Sequence, residues 1–328
     1  MSPRIWDGFN TVTAATAAAA CLAFVASLML GSDGFGLPHT TDVAQLVFWE
    51  IRFPRAVLGF FTGAALGLSG AVLQGYLRNP LAEPGLLGMT GGASLGAVIA
   101  IHSGLSGSFA LALPLAGLLG AGVATLVIVA LAGSHSSTTT LILAGVAISS
   151  LAGALTSLAL NLSANPFAAT EIMFWLMGSL TDRSLLHVWL ATPLIIVGLA
   201  MLLTTARDLD ALSLGEEVAT NLGVDPVGLR FKVIAGAALA VGAATAVTGA
   251  IAFVGLMVPH FLRRAVAEQP GRLLLPSLLG GGAFVLAVDV ALRLLSPLAD
   301  VRLGVLTALI GAPFFLWLVV KKRWDDVS

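Results

Sequence analysis

Residues 207–230 read RDLDALSLGEEVATNLGVDPVGLR, and the reading of this stretch decides how the runs on either side must be arranged. Its 24 residues carry Asp208, Asp210, Glu216, Glu217 and Asp225, five of the chain's 17 acids, between two apolar runs. The spacing predicts short helices. Asp210 or Ser213 can cap an N-terminus, Leu212, Leu214, Val218 and Leu222 recur near the helical period, and Gly223 followed by Pro226 supplies a stop. A folded segment with polar and apolar faces is either a docking surface or a solvated connector, and the residues alone leave both open.

Outside this stretch the chain is greasy. Hydrophobic residues fill 58% of the 328 positions, charged residues 10%, and the mean hydropathy is +0.99, which excludes a soluble domain and predicts an all-α polytopic membrane protein. A net charge of −1 offers no basic field to nucleic acid. With Cys21 the single cysteine, neither an intrachain disulfide nor a cysteine metal cluster can form. The first apolar run, 11–31, lacks a clear small-residue cleavage site and reads as a retained helix rather than a removed signal peptide.

Apolar runs fall near 11–31, 54–77, 88–103, 110–132, 139–160, 186–206, 230–250, 254–265, 273–295 and 303–320, ten in all. Two of them, 88–103 and 254–265, are too short to cross alone and are expected inside the bundle. Ten spans put both termini on one side, and the cations choose which. Placing the termini inside gives eleven inner cations (Arg4, Arg78, Arg207, Arg230, Lys232, Arg263, Arg264, Arg272, Lys321, Lys322 and Arg323) against five outer ones (Arg52, Arg55, Arg183, Arg293 and Arg302). That bias predicts cytoplasmic termini and makes 207–230 the longest polar interval on the cytoplasmic side.

Small residues mark two helix faces. Gly63, Gly67, Gly70 and Gln74 share one face of the second span, where close helix packing is the plain reading. Ser149, Gly153 and Thr156 line a similar face of the fifth span, which either packs or forms the wall of a polar pathway, with Gln74 a further candidate for that wall. Asp289 and Arg293 stand one turn apart within the ninth span, where a carboxylate needs a partner; either the two form a local ion pair, or Asp289 steadies Arg293 at the outer mouth or belongs to a proton relay, which would want more than one buried acid.

Catalytic motifs are scarce. GASLG at 92–96 matches the serine-hydrolase elbow but lies in an apolar span with no strand before it. No phosphate-binding G-x-x-x-x-G-K-[ST] occurs, so this chain is not expected to hydrolyse ATP by itself. His39, His102, His135, His187 and His260 are scattered without ligand spacing, and no metal site is expected.

Three blocks carry a resemblance. RFPRAVLGFFTGAALGLSGAVLQGYLRNPLAEPGLLGMTGGASLG (52–96), AFVGLMVPHFLRR (252–264) and LGVLTALIGAPFFLWL (303–318) resemble the permease subunits of ATP-binding-cassette importers for iron-siderophores, haem and cobalamin. The resemblance implies a ten-helix permease fold over residues 1–328, in a bacterial inner membrane. It also implies a second permease copy, two cytoplasmic ATPase subunits that carry the ATP and Mg, and a periplasmic or lipid-anchored binding protein. Arg52, Arg55 and Arg293 match arginines that face acids of the binding protein. Asp210, Leu214, Gly215, Glu216, Glu217, Ala219, Leu222 and Gly223 match the helices that couple to the ATPase, within about 207–226. Ser137 and Thr138 match a cytoplasmic gate, although Thr139 and Thr140 stand where relatives often carry a basic residue. Siderophore, haem and cobalamin cannot be ranked firmly this way; family frequency alone puts ferric siderophore or haem first. Outside the resemblance, an ion-coupled carrier and a non-transporting scaffold remain as other classes, the carrier disfavoured because the span interiors hold one acid.

Overall fold

The computed structural model describes residues 3–31, 34–35, 42–132, 138–163, 165–295 and 301–325. It is a bundle of helices. In order they are α1 (Pro3–Met29), α2 (Asp42–Val47), α3 (Phe53–Tyr76), α4 (Met89–His102), α5 (Ala112–Ala132), α6 (Thr138–Asn161), α7 (Pro166–Leu176) and α8 (Leu185–Leu203). Then follow α9 (Ala206–Leu212), α10 (Glu216–Asn221), α11 (Pro226–Ala237), α12 (Ala243–Thr248), α13 (Val254–Arg263), α14 (Pro270–Leu295) and α15 (Leu303–Asp325). One short antiparallel pair, Leu30–Gly31 with Gly34–Phe35, follows α1.

Each of the ten apolar runs contains a helix. Seven stretches are long and apolar enough to cross a membrane, and α4 and the 303–318 part of α15 are shorter apolar helices. Two spans are continuous only through π-helical turns. Phe48–Arg52 joins α2 to α3, and Ala238–Gly242 joins α11 to α12, so each carries more residues per turn there than an α-helix would. The stretch 43–76 thereby reaches 34 residues, about 51 Å of helix against a hydrocarbon core of about 30 Å, and must tilt or project.

The α3 helix is the axis of the bundle. Within its span 89% of the most apolar window is buried, against 28% for α6 and 17% for α1. Glycine is what lets its neighbours approach. A Cβ on Gly63 would strike the carbonyl of Gly281 in α14, one on Gly67 the carbonyl of Ser277, and one on Gly70 the carbonyl of Gly255 in α13. The packing reading of that face is borne out, and it buries backbone against backbone. The same device explains the hydrolase-like GASLG, since Gly92 and Gly96 of α4 lie against Gly120 and Ala116 of α5. The short α4 and α13 sit inside as expected, with Ala93, Ala97, Val98 and Val254 all inaccessible.

Among the described residues, α2 and α7 were not foreseen. The α7 helix begins at Pro166 with the Asn165 side chain accepting the N–H of Phe167, an Asn-Pro start that was legible in principle. The bundle has two ends. One carries Arg52, Arg55 and Arg293, the other the 204–225 segment, and they are called the arginine end and the loop end below.

Candidate functional site

The loop end is built on two short helices, α9 and α10, with glycine on either side of the second. Gly215 (φ +110°) precedes α10 and Gly223 (φ +91°) follows it, both in the backbone region that L side chains avoid. Asp225 then caps α11, its carboxylate accepting the N–H groups of Val227 and Gly228 at 3.0 Å ahead of Pro226. Of the predicted coupling residues, Leu214 and Leu222 are each 64% exposed, Glu216, Glu217 and Gly223 are exposed beside them, and Ala219 is buried as the helix's anchor. Leu214 and Leu222 thus stand out among acids as an exposed aliphatic patch.

Asp210 does something different. Instead of capping its own helix it reaches across to α14, where its carboxylate accepts the Gly271 N–H at 2.7 Å and the Gln269 side-chain N–H at 2.9 Å. Ser213 shows no such capping bond; its hydroxyl donates to the Asp210 carbonyl at 2.6 Å. Glu216 meets Arg78 at 3.2 Å, an exposed pair worth at most about 1 kcal/mol.

At the arginine end Asp289 is 1% exposed and grips two cations. Arg55 of α3 reaches one carboxylate oxygen at 2.8 Å, and Arg293, one turn along α14, reaches the other at 2.9 Å. The local pair foreseen from spacing is present, and Arg55 is the addition. Arg293 donates also to the Ser27 and Leu30 carbonyls at 2.9 and 3.1 Å and to the Ser27 hydroxyl, tying in the end of α1. Arg52 reaches the Leu28 carbonyl at 3.4 Å. Beside them a cavity of about 190 Å³ is walled by Arg55, Arg293, Arg302, Asp289, Ser179 and Thr181, three guanidinium groups against one carboxylate. Arg302 was counted among the outer cations without a role; its guanidinium lies 4.8 Å from the centre of the Phe174 ring.

Between the ends, the four wall candidates separate. Gln74 is 2% exposed, its amide donating to the Gly255 carbonyl at 3.2 Å and accepting from Arg263, so it ties α3 to α13 within the chain rather than lining an opening. Ser149 is half-buried with its hydroxyl toward the Gly85 carbonyl, Thr156 is buried, and Gly153 is exposed with open space beside it. Thr138 opens α6, while Ser137 lies outside the described residues.

Sequence reasoning missed Glu83. The 77–88 connection folds back among the helices, and the Glu83 carboxylate accepts the N–H of Phe253 at 2.8 Å, where a positive φ of 68° starts α13. Burial pushes this carboxyl above its ordinary range, and the Phe253 hydrogen bond pulls it partway back. Its position in a loop hid its burial.

The FecCD transport family model matches residues 18–321. The chain belongs to the FecCD transport family. Among curated relatives, this FecCD chain is 42% identical to the cobalamin import system permease protein BtuC of Halobacterium salinarum, over 88% of this chain and 76% of that one. It is 38% identical to the vitamin B12 import system permease protein BtuC of Shigella boydii, over 92% of each. A solved structure described as an inward-facing conformation of a metal-chelate type ABC transporter matches with a TM-score of 0.83 at 34% identity, covering 98% of this chain and all of the other. The expected polytopic permease fold and the family resemblance are both borne out.

Proposed function

We propose that this FecCD chain is the membrane permease of an ATP-binding-cassette importer for cobalamin or a closely similar metal chelate. The loop end and both termini face the cytoplasm, where two ATPase subunits supply ATP and Mg chemistry that this chain has no motif for. The arginine end faces outward beneath a binding protein whose acids approach Arg52, Arg55, Arg293 and Arg302. A second permease copy completes the passage, with Gly153 on a face still open in the single chain and Ser137 and Thr138 near its inner gate. Relatives named for cobalamin and vitamin B12 import move the weight from siderophore and haem toward a corrinoid.

The observation that carries this reading is the patch of Leu214, Glu217, Val218 and Leu222, aliphatic and acidic together, exposed where no lipid covers it under the proposed orientation. Differential grip on that patch in two nucleotide states is what would rock the bundle. The test is reconstitution in vesicles with the ATPase subunit and the cobalamin-loaded binding protein. ATP hydrolysis should rise and cobalamin should accumulate inside only with ATP present; uptake driven by an ion gradient without the ATPase overturns the proposal. Glu217→Arg should abolish uptake while the permease still inserts.

A further inference from the structure

The two ends are joined by one pair of helices, and we infer that α3 and α14 form a single strut relaying the docking state of the arginine end to the loop end, with Asp289 and Asp210 as its clamps. The inference rests on the reading above for what docks at each end. It goes beyond that reading in assigning Asp210 a role that needs no contact with the ATPase.

The strut is tied at both ends and filled along its length. At the arginine end Asp289 holds Arg55 of α3 and Arg293 of α14 together. Along the shared face, Gly63 and Gly281 leave no room for a Cβ on either helix, and neither does Gly67 against Ser277. The one proline inside α14, Pro276, adjoins that Gly67 contact, so α3 backs the helix where a backbone hydrogen bond is lost. At the loop end Asp210 takes hold of the start of α14 through the Gly271 N–H and the side chain of Gln269, the residue before the helix. A Cβ on Gly271 would sit 2.6 Å from the Asp210 carboxylate and 2.7 Å from the Ala206 carbonyl, so α9 and α14 cannot shift independently there. From Gly271 to Asp289 is about 27 Å of helix, so the two clamps stand nearly a hydrocarbon thickness apart. Asp210 is therefore a positioning residue, acting on the exposed patch of α10 through its hold on α14.

The test uses the assembled transporter in vesicles, with the cobalamin-loaded binding protein as probe and the ratio of ATP hydrolysis with and without it as readout. Asp210→Ala and Gln269→Ala should each leave the ATPase subunit copurifying yet lower that ratio about threefold or more. Asp289→Asn should do the same from the other end. Two sites this far apart ordinarily act independently and their effects multiply. A strut predicts instead that Asp210→Ala with Asp289→Asn is no worse than the more severe single variant. An unchanged ratio in Gln269→Ala and Asp210→Ala, or a double variant equal to the product of the singles, overturns the strut. If Asp210→Ala fails to accumulate, Gln269→Ala decides alone, with Asp289→Asn and Gln269→Ala as the double. If the wild type shows no stimulation by the loaded binding protein, the transport reading itself has failed, an outcome distinct from loss of the strut.

Discussion

Glu83 shows how much a single carboxylate can be asked to do inside a greasy bundle. It supplies the acceptor for Phe253 N–H at a backbone position with positive φ, and removing that acceptor by Glu83→Ala should cost about 1–3 kcal/mol, read as a lower unfolding temperature in detergent. Glu83→Gln keeps an acceptor oxygen and should be far milder. Because burial raises the carboxyl in the fold, the proton is bound more tightly folded than unfolded. Its contribution is fully present below the ordinary value of 4.5 and is lost as pH climbs through the raised one. Wild type should therefore lose thermal stability relative to Glu83→Gln as pH rises from that value toward neutrality, and parallel curves would refute the assignment. At this scale the sequence was legible where partners are neighbours along a helix, as with Asp289 and Arg293. Arg55 lies 234 positions from Asp289, and no periodicity connects residues so far apart.

Glycine placement decides which helices can be moved against each other. Gly63→Ala would drive a methyl into the Gly281 carbonyl and should cost about 1–3 kcal/mol of overpacking, whereas Gly122→Ala meets nothing within 4 Å and should be neutral or slightly stabilising. Thermal unfolding of the two variants side by side gives the comparison, and equal losses would mean the close approach of α3 and α14 is not what the fold depends on. Gly215 is a different case, since open space surrounds it and the constraint is its φ of +110°. Gly215→Ala should therefore deform the patch around α10 and weaken retention of the ATPase subunit on copurification, while the bundle's melting stays unchanged. The glycine face and the short inner helices could be read directly because helical spacing and span length are local properties. Asp210 could be read as a capping residue, but not which helix it caps, because that depends on α14 returning to the loop end.

Across the whole molecule the arginine end combines a structural charge cluster with a proposed docking one, and the two respond differently to reversal. Arg55→Glu would set a second carboxylate against buried Asp289 and should impair folding, whereas Arg52→Glu leaves the Asp289, Arg55 and Arg293 contacts in place. Binding-protein capture by Arg52→Glu should accordingly weaken more at low than at high salt, since screened charges mainly guide encounter; a salt-independent loss would point to misfolding. The architecture was legible from ten apolar runs because span length is a coarse signal. The folded-back 77–88 connection and the cavity around Arg302 were not, since both arise from chain segments that meet only in three dimensions.

The π-helical turn at Phe48–Arg52 leaves the chain with one surplus position near the start of its longest described helical stretch. Excising a single residue from it would restore α-helical winding with both flanks still in phase, because the wide turn spends its extra residue locally, and the glycine face of α3 would stay put. Homologous sequences should thus tolerate a one-residue gap here more readily than anywhere else in that helix, where the same loss would rotate one flank about 100° around the axis.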